Sequence, residues 1–107
     1  MNQILYTGPK LQQDLWLILT RWRLFRFAFA TDIVKMFRQI EIDYDDSFYQ
    51  LILWRKSITD AIKIYRLRTV TYGTASAPYL ANRVLLQLAK DENLKFPLGA
   101  SILEKNT

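Results

Sequence analysis

Asp32 is the residue whose type and setting point most directly to chemistry. It closes the segment Phe25-Arg26-Phe27-Ala28-Phe29-Ala30-Thr31-Asp32, where Phe25, Phe27 and Phe29 alternate with Arg26, Ala28, Ala30 and Asp32. Period-two alternation predicts a strand over 24–32, with an aromatic face toward a core and a small-residue face ending in a carboxylate. Open space before a carboxylate suits a metal ion and its ligand. Taken alone, an Asp at a strand's end is more often a turn former or helix cap. Other residue types narrow the choice. The chain has no Cys, which removes disulfides, thiolate zinc sites and thiol nucleophiles. It has no His, which removes imidazole ligands and Ser-His-Asp triads. Catalysis would use carboxylates, Lys, Tyr, backbone dipoles or an oxygen-held metal, and oxygen-only ligation points to a hard ion such as magnesium.

Lys and Arg number 15 against 10 Asp and Glu, a net charge of +5. Basic residues gather at Arg21, Arg23 and Arg26, and again at Arg55, Lys56, Lys63, Arg66 and Arg68. This balance predicts a polyanionic partner, with nucleic acid foremost, and is also compatible with a generally basic solvated surface. Glu41, Asp43, Asp45 and Asp46 lack the alternating ligands, central Gly and closing Glu of a calcium loop, so they read as a solvated acidic turn. At 107 residues the chain is one domain or a piece of one, half apolar. Charges interrupt every apolar run before the ~20 residues that span a bilayer, and no signal-peptide order opens the chain. The expectation is an intracellular chain with no membrane partner.

The elements that position these residues follow from periodicity. Thr7-Gly8-Pro9 opens a helix of roughly four turns. Leu11, Leu15, Ile18, Leu19 and Trp22 form its core stripe. After the 24–32 strand, a short turn or helix runs through Phe37. Residues 43–47 form a turn and helix cap. Gln50 to Arg55 and Ile62 to Thr71 are strands joined by a hairpin loop over 56–61. Tyr72-Gly73 breaks the pattern. Ser76 then caps a second helix with Pro78 in its first turn and Ala77, Ala81, Val84, Leu85 and Leu88 inward. The tail carries Phe96-Pro97, Gly99 and a short apolar segment at Ile102-Leu103. Helix, strand, hairpin and helix make the class α+β.

Three blocks resemble the reverse transcriptase of Bel/Pao-type long-terminal-repeat retrotransposons. Leu5-Tyr6-Thr7-Gly8-Pro9 and its helix look like the passage from fingers to palm. Thr31-Asp32-Ile33-Val34-Lys35-Met36-Phe37-Arg38-Gln39-Ile40 is similar to the first catalytic motif. Thr71-Tyr72-Gly73-Thr74-Ala75-Ser76-Ala77-Pro78-Tyr79-Leu80-Ala81-Asn82 is similar to the second, the loop and helix beneath the templating base. The resemblance implies a single partial domain over 1–107, a fingers–palm antiparallel sheet with helices packed on one face. It implies RNA-directed DNA polymerase activity on a template-primer and deoxynucleoside triphosphates, with two Mg2+ ions (or Mn2+) in the intact enzyme. Asp32 would bridge the ions and the Ile33 carbonyl would touch one. The N–H groups of Lys35 and Met36 would meet the triphosphate as an anion-binding nest. Phe37 would lie under the incoming sugar and collide with a ribose 2′-hydroxyl. Gly73 would let the backbone approach the nucleotide, beside Tyr72 where retroviral enzymes usually carry Gln. Arg21, Arg23, Arg26, Arg55, Lys56, Arg66 and Arg68 would contact nucleic acid.

The aromatic-x-Asp-Asp motif that completes this family's metal site does not occur here, and neither do the thumb and RNase H segments. The expectation is a polymerase fragment, inactive alone, whose remainder belongs to a retrotransposon polyprotein. A second reading is a non-catalytic nucleic-acid-binding remnant. A third is a small basic α+β interaction domain whose likeness is accidental.

Overall fold

The computed structural model describes residues 2–106, and the order of elements begins with helix α1 (Leu15–Trp22) and a 3₁₀ turn (Met36–Gln39). A second 3₁₀ turn (Asp46–Tyr49), strands β1 (Leu51–Trp54) and β2 (Lys63–Arg66), and helices α2 (Ala77–Asp91) and α3 (Pro97–Asn106) follow. The class is α+β, as the sequence predicts. β1 and β2 form a two-stranded antiparallel sheet in which Leu51 pairs with Arg66, Ile52 with Tyr65, Leu53 with Ile64 and Trp54 with Lys63. The loop between them is the predicted hairpin connection.

Beyond β2 the chain gains another neighbour. Glu41 and Thr69 form a β-bridge, flanked by Ile42 N–H to Arg68 C=O and Val70 N–H to Ile40 C=O, both 3.0 Å. The pairing brings Ile40 and Val70 together, and both are buried with Ala77 and Ala81 of α2. Met36, Phe37, Ile42 and Leu80 close around this cluster. The two alanines lie four residues apart, one helical turn, so α2 presents a small-residue face that lets the bridge approach closely. α2 and α3 pack on one another with Ala89 and Ala100 buried along them.

α2 starts where the sequence places it, but by other means. Ser76 occupies the cap position without a side-chain capping bond, and the Ala77 N–H instead reaches the Thr74 carbonyl at 3.1 Å. The acidic turn is a local device: the Asp43 carboxylate accepts the Asp45 N–H at 2.9 Å and the Asp43 carbonyl accepts the Ser47 N–H at 3.0 Å.

Four expectations are corrected. The strand over 24–32 does not form: residues 23–27 turn and bend, 28–33 have no regular structure, and Phe25, Phe27 and Phe29 are 58, 68 and 88% exposed. A strand is held by a ladder of bonds to a neighbour, and no strand among the described residues runs beside this one. The first helix covers eight residues rather than four turns and buries none of them. Without a core to receive its stripe it rests on propensity and on the bonds of Arg21 to Gln13 and to the Lys105 carbonyl, and short helices are marginal. The helices do not cover one face of the sheet, since every residue of β1 is exposed. Val84 and Leu88 are exposed on α2, where Ala89 is buried instead. α3, absent from the sequence reading, begins at Pro97, a residue suited to a first helical position.

The result is an elongated molecule of 61 × 27 × 24 Å with a radius of gyration of 18.2 Å. A compact chain of this length would have roughly 13 Å. No helix among the described residues is long and apolar enough to cross a membrane.

Two glycines hold positive φ, Gly8 at 78° and Gly73 at 82°, and differ in surroundings. A Cβ on Gly8 would overlap the Tyr79 ring, whereas one on Gly73 would meet nothing within 4 Å. Gly8→Ala therefore adds a steric clash to backbone strain and is expected to cost about 2–3 kcal/mol, against about 1 kcal/mol for Gly73→Ala. Urea denaturation of both variants checks the difference, and equal losses would remove the Gly8–Tyr79 packing.

Candidate nucleotide and nucleic-acid site

The residues singled out by type and spacing fall into two groups. One surrounds the turn after Asp32. Lys35 has φ 52° and ψ 43°, a left-handed conformation uncommon for a side-chain-bearing residue. It reverses the chain into the 3₁₀ turn. The Met36 N–H bonds the Ile33 carbonyl at 3.1 Å, and the Arg38 N–H bonds the Lys35 carbonyl at 2.8 Å. Of the two donors expected to form a nest, Met36's is thus engaged within the turn. Gln39 steadies the same turn by donating to the Val34 carbonyl at 3.3 Å.

Phe37 and Tyr72 meet edge to face, ring centroids 4.9 Å apart and planes at 69°. This contact joins the two motif-bearing segments across the Ile40–Val70 pairing. Tyr72 is exposed and Phe37 half-buried, so one ring rests on the core and supports the other at the surface. Gly73 follows at an open turn. Its carbonyl accepts the Asn2 side-chain amide at 3.0 Å, and the Asn2 amide oxygen accepts the Ala75 N–H at 3.0 Å. Asn2 thus brackets the turn with both halves of its amide. No periodicity or motif marks an Asn near the start of a chain, so the sequence reading passes over it.

Asp32 is exposed, and among the described residues its carboxylate has no ion-pair or hydrogen-bond partner. A two-ion centre needs carboxylates from several positions around each ion. Among the described residues no three acidic side chains are grouped so as to hold a metal ion. A single carboxylate with a neighbouring carbonyl does not fit a two-ion centre.

The second group is basic. Arg66 lies over the rings of Tyr44 and Phe48, 4.2 and 4.6 Å from their centroids, and those rings pack edge to face at 5.4 Å. Arg68 pairs with Glu41 at 3.6 Å, and the five residues Glu41, Tyr44, Ser47, Arg66 and Arg68 line a cleft of about 180 Å³ with Ile42. Arg55 donates to the Ile58 carbonyl within the hairpin loop at 3.0 Å, beside exposed Lys56. Arg21 is turned inward on the fold: it bonds the Gln13 side chain at 2.5 Å and the Lys105 carbonyl at 2.7 Å, near the C-terminal end of α3. A cation is favoured there by the helix dipole. Arg26 lies over the Phe27 ring at 5.3 Å, and Arg23 is exposed.

Comparison with known proteins yields no match: no family model, no curated protein and no solved structure is similar to the chain. The geometry and the residues therefore carry the functional argument.

If Phe37 and Tyr72 act as one unit, their contributions to stability are not additive. A double-mutant cycle with Phe37→Leu and Tyr72→Leu is expected to give a coupling of about 0.5–1.5 kcal/mol. A coupling near zero in denaturant melts would separate the two segments.

Proposed function

We propose that the chain is a fingers–palm segment of a reverse transcriptase domain of the Bel/Pao type, belonging to template-directed deoxynucleotidyl transfer. The observation that carries the reading is the Phe37–Tyr72 contact. Two blocks with the family's motif residues, separated by the whole hairpin, border one surface. A nucleotide held there would meet an aromatic from each motif and the open Gly73 turn. The strained Lys35 backbone adds support, since conformations of this kind gather at ligand-binding turns.

In this reading Asp32 and the Ile33 carbonyl would be part of a magnesium donor set that these residues do not complete. Phe37 limits the space beneath the sugar and disfavours a ribose 2′-hydroxyl. The basic side chains neutralise template and primer phosphates. The 107-residue chain alone then binds nucleic acid without extending a primer, the behaviour of a non-catalytic remnant.

Three measurements test these roles. In a longer polypeptide that carries this segment with a further carboxylate pair, Asp32→Asn is expected to lower nucleotide incorporation about a hundredfold or more. Retention of a tenth of the activity removes Asp32 from the metal site. In the same polypeptide Phe37→Val is expected to raise ribonucleotide use relative to deoxynucleotide use by relieving a clash, and an unchanged ratio returns Phe37 to the core. For the 107-residue chain, affinity for single- and double-stranded oligonucleotides is expected to fall with salt by roughly 0.7–0.9 log units per decade for each phosphate neutralised. Binding that ignores salt would exclude the basic surface.

A further inference from the structure

We propose that the cavity between the end of α1 and one face of α3 binds a small aliphatic carboxylate. The inference rests on this cavity, and not on the polymerase reading. Leu98, Ser101, Ile102 and Lys105 recur at three- and four-residue spacing, so they share one face of α3. Arg21 at the end of α1, with Leu24 and Phe25 in the turn after it, forms the facing wall. The space between them is about 490 Å³, within the roughly 300–1,000 Å³ of small-molecule sites.

The cations at one end choose the headgroup. A guanidinium carries five N–H donors, two of them on Nη1. In Arg21 the Nη1 donors serve the fold, bonding the Gln13 side chain at 2.5 Å and the Lys105 carbonyl at 2.7 Å. Its Nε and Nη2 donors have no partner among the described residues. Those donors form the edge that a carboxylate takes through two parallel bonds. The Nη1 bonds hold this edge in place before a ligand arrives, which lowers the entropy lost on binding. The Lys105 ammonium, at the same end of α3, belongs to no ion pair among the described residues. The C-terminal carbonyls of α3 oppose an anion with about half a charge. Two full cationic charges against that set the sign.

The remaining walls choose the body. Leu24, Phe25, Leu98 and Ile102 are all exposed. A nucleic-acid phosphate held by the cations would leave them in water, whereas an aliphatic chain covers them. Leu98 and Lys105 stand two helical turns apart, about 10 Å. That span matches an extended octanoate chain, its carboxylate between Arg21 and Lys105 and its tail against Leu98.

Calorimetric titration of the full chain with octanoate, octanol and octylammonium isolates the charge, because the three share one tail. Octanoate is expected to bind at least about fivefold tighter than octanol, with octylammonium weakest. Amide shifts in the NMR spectrum should gather at residues 21–25 and 98–105. Arg21→Gln should bring the octanoate-to-octanol ratio below about twofold. Lys105→Glu keeps the backbone carbonyl that Arg21 bonds, so α1 stays anchored, and puts a carboxylate where the ligand's would lie. It should weaken octanoate about tenfold and change octanol less than about twofold. Absent octanoate binding, equal affinity for octanoate and octanol, shifts outside these residues, or a charge preference that survives both variants would overturn the proposal. Binding to phosphatidylglycerol vesicles without binding of octanoate would assign the cations to a lipid surface and overturn it equally.

Discussion

The pairing of residues 40–42 with 68–70 is the constraint on which the rest of the structure depends. Two backbone bonds and one bridge fix it, and the buried cluster of Ile40, Val70, Ala77 and Ala81 sits directly on it. Each other feature of the candidate site hangs from this crossing. The 3₁₀ turn bearing Phe37 enters it from one side, and the Tyr72-Gly73 turn leaves it on the other. α2 can approach only because its first turns offer alanine. The cluster is small, and among the described residues no large side chain is fully buried. Ordering a residue's backbone costs about 1–2 kcal/mol, so a core of this size leaves little surplus to order segments that do not touch it. α1 and the stretch after it are where regular structure is short or missing.

Which parts were legible in the sequence follows from this geometry. The hairpin, the turn at Tyr72-Gly73 and α2 are local: each is specified by residues within one short window, whether β-rich runs flanking a polar loop or a Pro-led amphipathic helix. The 24–32 segment is not local. Its alternation states which residues would share a face if a neighbouring strand existed, and it says nothing about where that neighbour comes from. Helix α1 fails in the same way, as a stripe without a receiving surface. α3 was hidden by Gly99, which interrupts a helical reading, although Pro97 at its start and Lys105 in its last turn suit helix ends.

The site was legible unevenly for a related reason. Residue types at motif spacing single out Asp32, Phe37, Tyr72 and Gly73, because the resemblance that picks them rests on short contiguous blocks. The Phe37–Tyr72 contact and the Asn2 bracket depend on tertiary closure, and Asn2 carries no pattern at all. Arginine roles were the least legible. Seven basic residues look alike in sequence, yet Arg21 secures a helix end, Arg55 closes a loop and Arg68 pairs with Glu41.

That sorting bears on how such a surface would hold a polyanion. The Arg68–Glu41 pair is highly exposed, so solvent screening leaves it weak, and a phosphate can compete for the guanidinium at small cost. Arg66 differs. Its guanidinium lies over two rings, a contact that restricts its rotamers while leaving edge N–H groups to donate. An arginine fixed in this way loses less entropy on binding than a free one. The Tyr44 and Phe48 rings beside it offer apolar faces of the kind on which bases stack. Glu41 in the same cleft opposes a phosphate, so the cleft's net charge is set by two arginines against one carboxylate. Contact there would therefore rest as much on preorganisation and stacking as on charge, whereas Lys56 and Arg23, exposed and unconstrained, would act as point charges alone.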